Sequence, residues 1–452
     1  MMSCAFETYF ESLKGKRIAV FGLGVSNRPL VRLLLEFGCD VLGCDRTERE
    51  KLDEEVLELE RKGCKLSVGE RYLEGLEADL VFRTPGMHPG NPALEALRAK
   101  GAEVTSEMEV FFEVCPCTIL AITGSDGKTT TTTLVSEMLK AQGHTVWVGG
   151  NIGTPLLPRV REMKESDYCV VELSSFQLMD MKRSPHVAVV TNLAPNHLDV
   201  HKDMEEYVEA KKNIFKFQRE NDILVINADN EITAPFRGNG ITKAFSYAGK
   251  DVAVKLEGEM ITRDGMPVLN KHDILLPGEH NVENYMTAIA AVESLVEDET
   301  VRKVAKTFGG VEHRIELVRI KDGVRFYNDS IASSPSRTMA GLRSFPEKVI
   351  LIAGGYDKHI PYDVLGPEIC AHVKKLFLCG ATAPQIRAAV ENCSMEQPEM
   401  VDCGKFENAV KAAAAAAQDG DVVLMSPASA SFDEFKNFMV RGNFFKKLIM
   451  EL

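Results

Sequence analysis

The chain is 452 residues long, 45% hydrophobic and 26% charged, with a formal net charge of −13. That length gives room for roughly two to four domains, each large enough to bury a core. The acidic balance excludes a protein that tracks a nucleic-acid backbone, which needs a basic face. No run of about 18 apolar residues is present to make a transmembrane helix, so no membrane insertion is expected.

The first 16 residues carry Glu7 and Glu11 and lack a basic segment followed by an apolar one, which argues against a secretory signal. A cytoplasmic location and reduced thiols are expected. The 11 cysteines are dispersed. Cys115 and Cys117 flank Pro116, a spacing too tight for the common zinc patterns, with no His/Cys pair beside them. They read as ordinary buried thiols.

In chain order, an apolar strand over 16–21 enters Gly22-Leu-Gly24. A helix follows to about residue 37, then strands over 39–45 and 78–82 and a turn-rich segment over 84–92. This first unit closes near residue 106. The second unit opens on a strand from Thr118 into a glycine turn. It continues with strands over 168–172, 187–191 and 222–227, a segment over 240–275 with the alternation of a small β-meander, and a helix over 281–296. The third unit begins near Val311, with strands over 324–327, 348–353, 375–379 and 421–425 and an alanine run, 412–417, inside a helix. Strands alternating with helices throughout predict an α/β chain with parallel sheets.

Two glycine turns carry chemistry. Gly22 and Gly24 follow a strand, and Asp45 ends the next one, which is most of a dinucleotide fingerprint. Asn27 stands where the third glycine belongs, so the NAD signal is weak; the helix N-terminus could hold the diphosphate of another nucleotide, and a plain strand-to-helix connection is the alternative. The second turn, Thr123-Gly-Ser-Asp-Gly-Lys-Thr-Thr130, is stronger. Gly124 and Gly127 let backbone N–H groups face phosphate oxygens, Lys128 suits terminal phosphates and Thr129 a magnesium ion. It is a short version of the loop, since Ile122 occupies the place of the usual first glycine. A run of threonines is a poor helix start, which favours a functional reason for at least the first.

Glu172 ends a strand at the edge where α/β sheets bind ligands; it is either a metal ligand or a helix-capping acid before Ser174. His197 follows the strand over 187–191, and Lys211 and Lys212 lie on the next amphipathic helix, where pattern alone singles out neither. In the third unit every strand that can be placed ends in polar residues or glycine, among them Tyr327-Asn-Asp-Ser330, Gly354-Gly-Tyr-Asp-Lys358 and Ser426-Pro-Ala-Ser-Ala-Ser-Phe432. One edge of that unit therefore reads as functional.

Taken together, the Thr123–Thr130 loop, Asn192 with Asn196-His197-Leu-Asp199, His280-Asn281 with Asn284, Glu312-His-Arg314, Asn328-Asp329-Ser330 and the 426–432 segment resemble the Mur ligase family in order and spacing, across essentially the whole chain. The two ends of the chain look like its D-glutamate-adding branch. The resemblance implies three domains. These are a Rossmann-like UDP-substrate domain over 1–106, a central P-loop NTPase-like ATP domain with a mainly parallel sheet over 107–310, and a Rossmann-like amino-acid domain over 311–452. It also implies an ATP-dependent amide ligase of peptidoglycan precursor synthesis. Such an enzyme adds D-glutamate to UDP-N-acetylmuramoyl-L-alanine through an acyl phosphate, with two magnesium sites and a carbamylated lysine, and acts as a monomer.

The resemblance further implies roles by residue. Lys128, His197 and Lys211 are catalytic. Gly124, Ser125, Asp126, Gly127, Lys128, Thr129, Thr130, Asn284, Arg314 and Asp329 bind ATP. Thr129, Glu172, His197 and carbamylated Lys211 hold metal. Ser26, Asp45, Arg46, Gly86 and Asn151 contact the UDP substrate, and Ser333, Lys358, Ser431, Phe432 and Phe438 the D-glutamate. With ATP groups on two domains, closure of the third domain on ligand binding is expected. This chain departs from many members at Ile331, where they carry lysine, at Tyr356-Asp357, where they carry Asp-Gly, and at Arg46-Thr47, where some carry Thr-Arg. Competing readings are an NAD-dependent dehydrogenase, which leaves Lys128, His197 and the third domain unexplained, a P-loop ATPase motor, a non-catalytic binding module, and another Mur ligase adding L-alanine.

Overall fold

The computed structural model of the chain describes residues 5–195, 200–249 and 251–452. They form two compact units, Met1–Lys271 with Glu283–Val304, and His272–Val282 with Ala305–Leu452.

The first unit holds two sheets. One has five parallel strands in the order Lys65–Val68, Asp40–Asp45, Arg17–Phe21, Leu80–Phe82, Glu103–Thr105. The order of the strands switches sides at Arg17–Phe21, with later strands added first to one side of it and then to the other, which opens a crevice at the carboxyl end of that strand. The other has nine strands. Val146–Gly150, Tyr168–Glu172, Thr118–Thr123, Val187–Val190, Ile223–Asn227, Ile241–Ser246 and Val254–Glu257 lie parallel in that order, and Met260–Arg263 and Met266–Asn270 finish the sheet antiparallel. The expected meander is thus confined to 254–270. Ile241–Ser246 extends the parallel sheet instead, paired along its length with Ile223–Asn227.

The central strands are continuous apolar runs, as helices on both faces require. Val187–Val190 is buried at every position, and Thr118–Thr123 at all but its first. Helix starts are fixed locally. Ser106 accepts from the Glu109 N–H at 3.1 Å, Asp203 from Glu206 at 2.9 Å and Asn437 from Val440 at 3.0 Å. Ser174 and Gln177 form a reciprocal capping box on Ser175–Leu178. That cap belongs to Ser174, so Glu172 is not the capping acid of this helix.

The two sheets of the first unit are tied by Arg83, whose side chain is fully buried. It ion-pairs with Asp180 and donates to the carbonyls of Met87 at 2.7 Å, Thr84 at 3.1 Å and Phe176 at 3.1 Å. One guanidinium thus holds the 84–88 turn of the first sheet against the segment that follows Glu172 in the second.

The second unit carries a six-stranded sheet in the order Glu316–Lys321, Val324–Asn328, Val422–Met425, Val349–Gly354, Val373–Cys379, Glu399–Gly404, parallel except for the first strand. Its linchpin is Arg441, on helix Phe438–Met450. Arg441 donates to the carbonyls of Ser330, Ala430 and Ser429 at 3.0, 3.0 and 3.1 Å and to the Ser330 hydroxyl at 3.1 Å. Burial holds its pKa down at about 10, and its donors satisfy carbonyls that would otherwise be stranded. Arg441→Met is therefore expected to speed hydrogen exchange across residues 428–442 about a hundredfold, or about 3 kcal/mol of local stability. Unchanged exchange there would contradict this role.

Candidate active site

The strongest constellation grows from the carboxyl end of strand Thr118–Thr123. Gly127 has φ 76° and caps helix Lys128–Ala141 without a side chain, and the first intrahelical bond is Thr131 N–H to the Gly127 carbonyl. The N–H groups of Lys128, Thr129 and Thr130 therefore have no acceptor inside the helix, and they form the positive end of its dipole. That is an anion cradle. No side chain fits at either glycine. A Cβ on Gly124, at φ 151°, would stand 1.9 Å from Thr191 Oγ1, and one on Gly127 2.5 Å from Asn284 Oδ1.

The loop is braced from below. Ser125 Oγ donates to the Ala194 carbonyl at 3.0 Å and meets Tyr207 OH at 2.9 Å; its N–H donates to the Asn192 carbonyl at 2.8 Å. The Asp126 N–H donates to Asn192 Oδ1 at 2.9 Å, and Thr191 Oγ1 donates to the Asp126 carbonyl at 2.6 Å. The Ser125 side chain is thus a fastener of the loop. Asn284 sits beneath Gly127, accepting from Thr131 Oγ1 at 3.3 Å.

Two lysines converge here. Lys128 Nζ donates to the carbonyls of Gly124 and Ser125 at 3.0 and 2.9 Å. Lys211, 2% exposed, donates to Thr123 Oγ1 at 3.0 Å and to the Gly124 carbonyl at 2.9 Å. Lys212, by contrast, pairs with Glu209 at 2.6 Å on the outside of helix Met204–Lys216. Sequence could not choose between the two, and the helix register does. Burial first, and the neighbouring Lys128 charge second, hold the Lys211 pKa well below the ordinary lysine value, with Glu172 pulling the other way.

Glu172 is buried at the end of the adjacent strand, in register with Ile122. Its Oε1 accepts from Asn151 Nδ2 at 2.8 Å, while Oε2 is buried with no hydrogen-bond partner among the described residues. An orphaned carboxylate oxygen beside a phosphate cradle is the donor that a hard cation such as Mg2+ takes, so the residues fit the implied metal. Thr129 stands on the first turn of the same helix. The expected ligand His197 lies outside the described residues.

The crevice of the first sheet is built differently from a dinucleotide site. Asn27, in the place of the third glycine, turns its side chain back to donate to the carbonyls of Gly22 at 2.8 Å and Phe21 at 3.1 Å. Asp45 accepts the N–H of Leu23 at 2.7 Å and of Thr47 at 2.9 Å. Burial pushes the Asp45 pKa up, but these bonds outweigh it and leave the carboxylate below its usual range. Asp45 thus fastens the rim, while Arg46 and Gly86 are exposed and Ser26 half-buried around it.

In the second unit, Asp329 lies in the Asn328–Ser330 turn that Arg441 anchors, Ser333 follows three residues after that turn, and Ser431 directly follows Ala430, whose carbonyl the same guanidinium holds. Ser330 Oγ donates to the Phe438 carbonyl at 2.8 Å, and Phe438 packs edge-on to His313 at 6.0 Å. Arg314 is exposed beside it. Lys358 is exposed on the loop after Val349–Gly354, and Phe432 is 61% exposed, edge-on to Tyr356 at 5.8 Å. The departure at Asp357 has a local use: its carboxylate accepts the His359 N–H at 2.7 Å and Gln385 Nε2 at 3.0 Å. Nothing in the structure explains Ile331. Sequence reading missed Arg83 and overlooked the anchoring role of Arg441. The signal for Arg83 was a charged residue ending an apolar strand.

Asp329 is buried, accepting from Ser426 Oγ at 2.7 Å and the Ile315 N–H at 3.3 Å, and burial pushes its pKa up to about 7. A raised carboxylate pKa means the folded state holds the proton more tightly than the unfolded one. Stability of this unit should therefore fall as pH rises from about 4 to about 7, and Asp329→Asn should flatten that slope. Carbon NMR of the Asp329 carboxyl should titrate near 7; a midpoint below about 5 would contradict this.

Comparison with known proteins agrees with the geometry. The Mur ligase middle domain matches residues 122–292 and the Mur ligase glutamate ligase domain residues 313–429. The chain is 52% identical to the UDP-N-acetylmuramoylalanine--D-glutamate ligase of Acetivibrio thermocellus, over 99% of both chains. It is 48% identical to that of Ruminiclostridium cellulolyticum, over the whole of both. The fold is shared with the UDP-N-acetylmuramate-alanine ligase of Thermotoga maritima (TM-score 0.57, 19% identity, 96% of this chain and 99% of that one). It is also shared with a UDP-N-acetylmuramoyl-L-alanyl-D-glutamate--2,6-diaminopimelate ligase (TM-score 0.58, 17% identity, 91% of this chain and 93% of that one). With a phosphate loop, a buried lysine and an unsatisfied carboxylate at one strand end, and relatives about half identical over their full length, the chain belongs to the Mur ligase family.

Proposed function

We propose that this chain is an ATP-dependent amide ligase joining D-glutamate to the L-alanine carboxylate of UDP-N-acetylmuramoyl-L-alanine, in cytoplasmic peptidoglycan precursor synthesis. The observation that carries the reading is the meeting of Lys128, Lys211 and Glu172 at the phosphate loop. Relatives of the same length bearing that activity support the choice of substrates.

In this reading a carboxylate oxygen of the substrate attacks the γ-phosphorus of ATP, the bond to the β-phosphate oxygen breaks, and ADP leaves. The amine of D-glutamate then adds to the acyl carbon, gives up a proton, and expels phosphate as the amide forms. Two anions must approach each other in the first step, so charge neutralisation dominates the barrier. Lys128 and the loop N–H groups serve the phosphates, with Asn284 holding the glycine turn in shape. Thr129 and Glu172 hold one Mg2+, and His197 with Lys211 serves a second. Bound there, the ions neutralise phosphate and carboxylate charge.

Lys211 serves the second ion as a carbamate. Its neutral amine takes up CO2 and releases a proton, which turns a buried amine into an anion. A low lysine pKa is the condition for that step. In the second unit, Arg314 and Asp329 serve ATP, and Ser333, Lys358, Ser431, Phe432 and Phe438 the D-glutamate, Lys358 pairing with a carboxylate. Ser26, Asp45, Arg46, Gly86 and Asn151 serve the UDP substrate, Asp45 by fixing the rim. We assign the roles to domains over 1–106, 107–310 and 311–452, in a chain that acts as a monomer.

ATP consumption assayed with UDP-N-acetylmuramoyl-L-alanine and D-glutamate, L-glutamate or L-alanine should give turnover with D-glutamate alone; turnover with L-alanine and none with D-glutamate would overturn the assignment. Lys128→Ala should lower kcat by a hundredfold or more, on the order of 3 kcal/mol of transition-state stabilisation. Lys211→Arg, which keeps the charge but cannot form a carbamate, should lose as much. Lys212→Ala should stay within about twofold, because surface ion pairs contribute little.

A further inference from the structure

The reaction above makes no use of Cys115, Cys117 or Cys169. Cys115 is the C-cap of helix Glu107–Val114, Cys117 directly precedes strand Thr118–Thr123, and Cys169 lies on the neighbouring strand Tyr168–Glu172, opposite Ile119. They sit at the foot of the two strands whose far ends carry the phosphate loop and Glu172. Sequence offers only the close pair. Parallel pairing of the strands adds the third cysteine from 54 positions away.

The sulfurs of Cys115 and Cys169 are 3.6 Å apart, and all three sulfurs lie within 4.8 Å of one another. The thioether of Met163 lies 3.8 Å from the Cys169 sulfur. Cys117 and Cys169 are buried, while Cys115 is half-exposed and offers a way in. A metal–thiolate bond of about 2.3 Å sets the sulfurs of a flat three-coordinate site about 4 Å apart. One pair stands at 3.6 Å and every pair within 4.8 Å, close to that spacing. Among the described residues no carboxylate or imidazole belongs to the group, and an all-sulfur donor set selects soft cations and disfavours Mg2+.

We propose that Cys115, Cys117 and Cys169 form a separate metal site of this protein, which takes one thiophilic d10 cation of the Zn2+ or Cu+ class. For a divalent ion the step is M2+ plus three thiols giving a metal trithiolate of charge −1 and three protons released to solvent. The bound ion ties the end of helix Glu107–Val114 to the foot of both catalytic strands. Because it binds the folded chain, it raises thermal stability.

The test uses the full chain, reduced and saturated with Mg2+, titrated with Cd2+ as a spectroscopic probe. One equivalent should produce thiolate-to-cadmium charge-transfer absorption in the ultraviolet and raise the thermal midpoint. Cys117→Ser, Cys169→Ser and Cys115→Ala should each lose both effects, and Cys370→Ser, in the other unit, should keep them. Cys115→Ala changes a half-exposed side chain, so circular dichroism should show a native fold, and its loss of the band is then a loss of the site. No band in the native chain, a band of full intensity in Cys115→Ala, or equal loss in Cys370→Ser would overturn the proposal.

Discussion

A lysine amine buried, among the described residues, with uncharged hydrogen-bond partners is the constraint on which the rest of the site turns. Lys211 is given a hydroxyl, Thr123 Oγ1, and a carbonyl, Gly124 O, as hydrogen-bond partners, and its nearest cation, Lys128, is itself folded onto the same loop. Desolvation and like charge both disfavour the protonated form. Among the described residues Glu172 is the counter-charge within electrostatic reach, yet its oxygens are spent on Asn151 or left bare. Such an arrangement is poorly balanced as a resting structure and well matched to a site that gains anions and cations when loaded. In the proposed reaction polyphosphate would supply charge for Lys128, a metal would supply charge for Glu172, and a carbamate would make Lys211 an anion.

The scaffold answers that need with rigidity where the chemistry is. The phosphate loop is fixed by Asn192, Thr191, Tyr207 and Asn284, all from other elements of the same unit. The segment after Glu172 is held by its own capping box and by Arg83. Arg83 also fixes the turn that contains Gly86, so the rim of the first sheet and the carboxylate of the second share one strut. In the second unit Arg441 plays the corresponding part for the Asp329 and Ser431 segments. Both guanidiniums present a rigid fork of donors to several carbonyls at once, which lysine could not do.

Much of this was legible in the sequence, and the gaps have a common physical cause. Buried central strands such as Val187–Val190 and Val349–Gly354 announce themselves as apolar runs. The strands that escaped notice, Lys65–Val68, Glu103–Thr105, Val146–Gly150, Glu316–Lys321 and Glu399–Gly404, are all sheet edges. Their residues are mostly only partly buried, and they lack the long fully buried apolar runs of the central strands. Ile241–Ser246 misled for the same reason, its partly exposed residues imitating a meander. The glycine loop, Glu172 and the lysine pair were readable as residue types. Which lysine faces inward depends on helix register, and the partnership of Cys115 and Cys117 with Cys169 depends on strand pairing, which no local pattern encodes.

The central claim is that the γ-phosphate of ATP is delivered to a substrate carboxylate and not to water. Labelling both oxygens of the UDP-N-acetylmuramoyl-L-alanine carboxylate with 18O and analysing the phosphate released in the presence of D-glutamate reads this directly. The account predicts one labelled oxygen in the phosphate for each amide formed, because the attacking oxygen stays with phosphorus when the amine expels it. Unlabelled phosphate accompanying amide formation would contradict it.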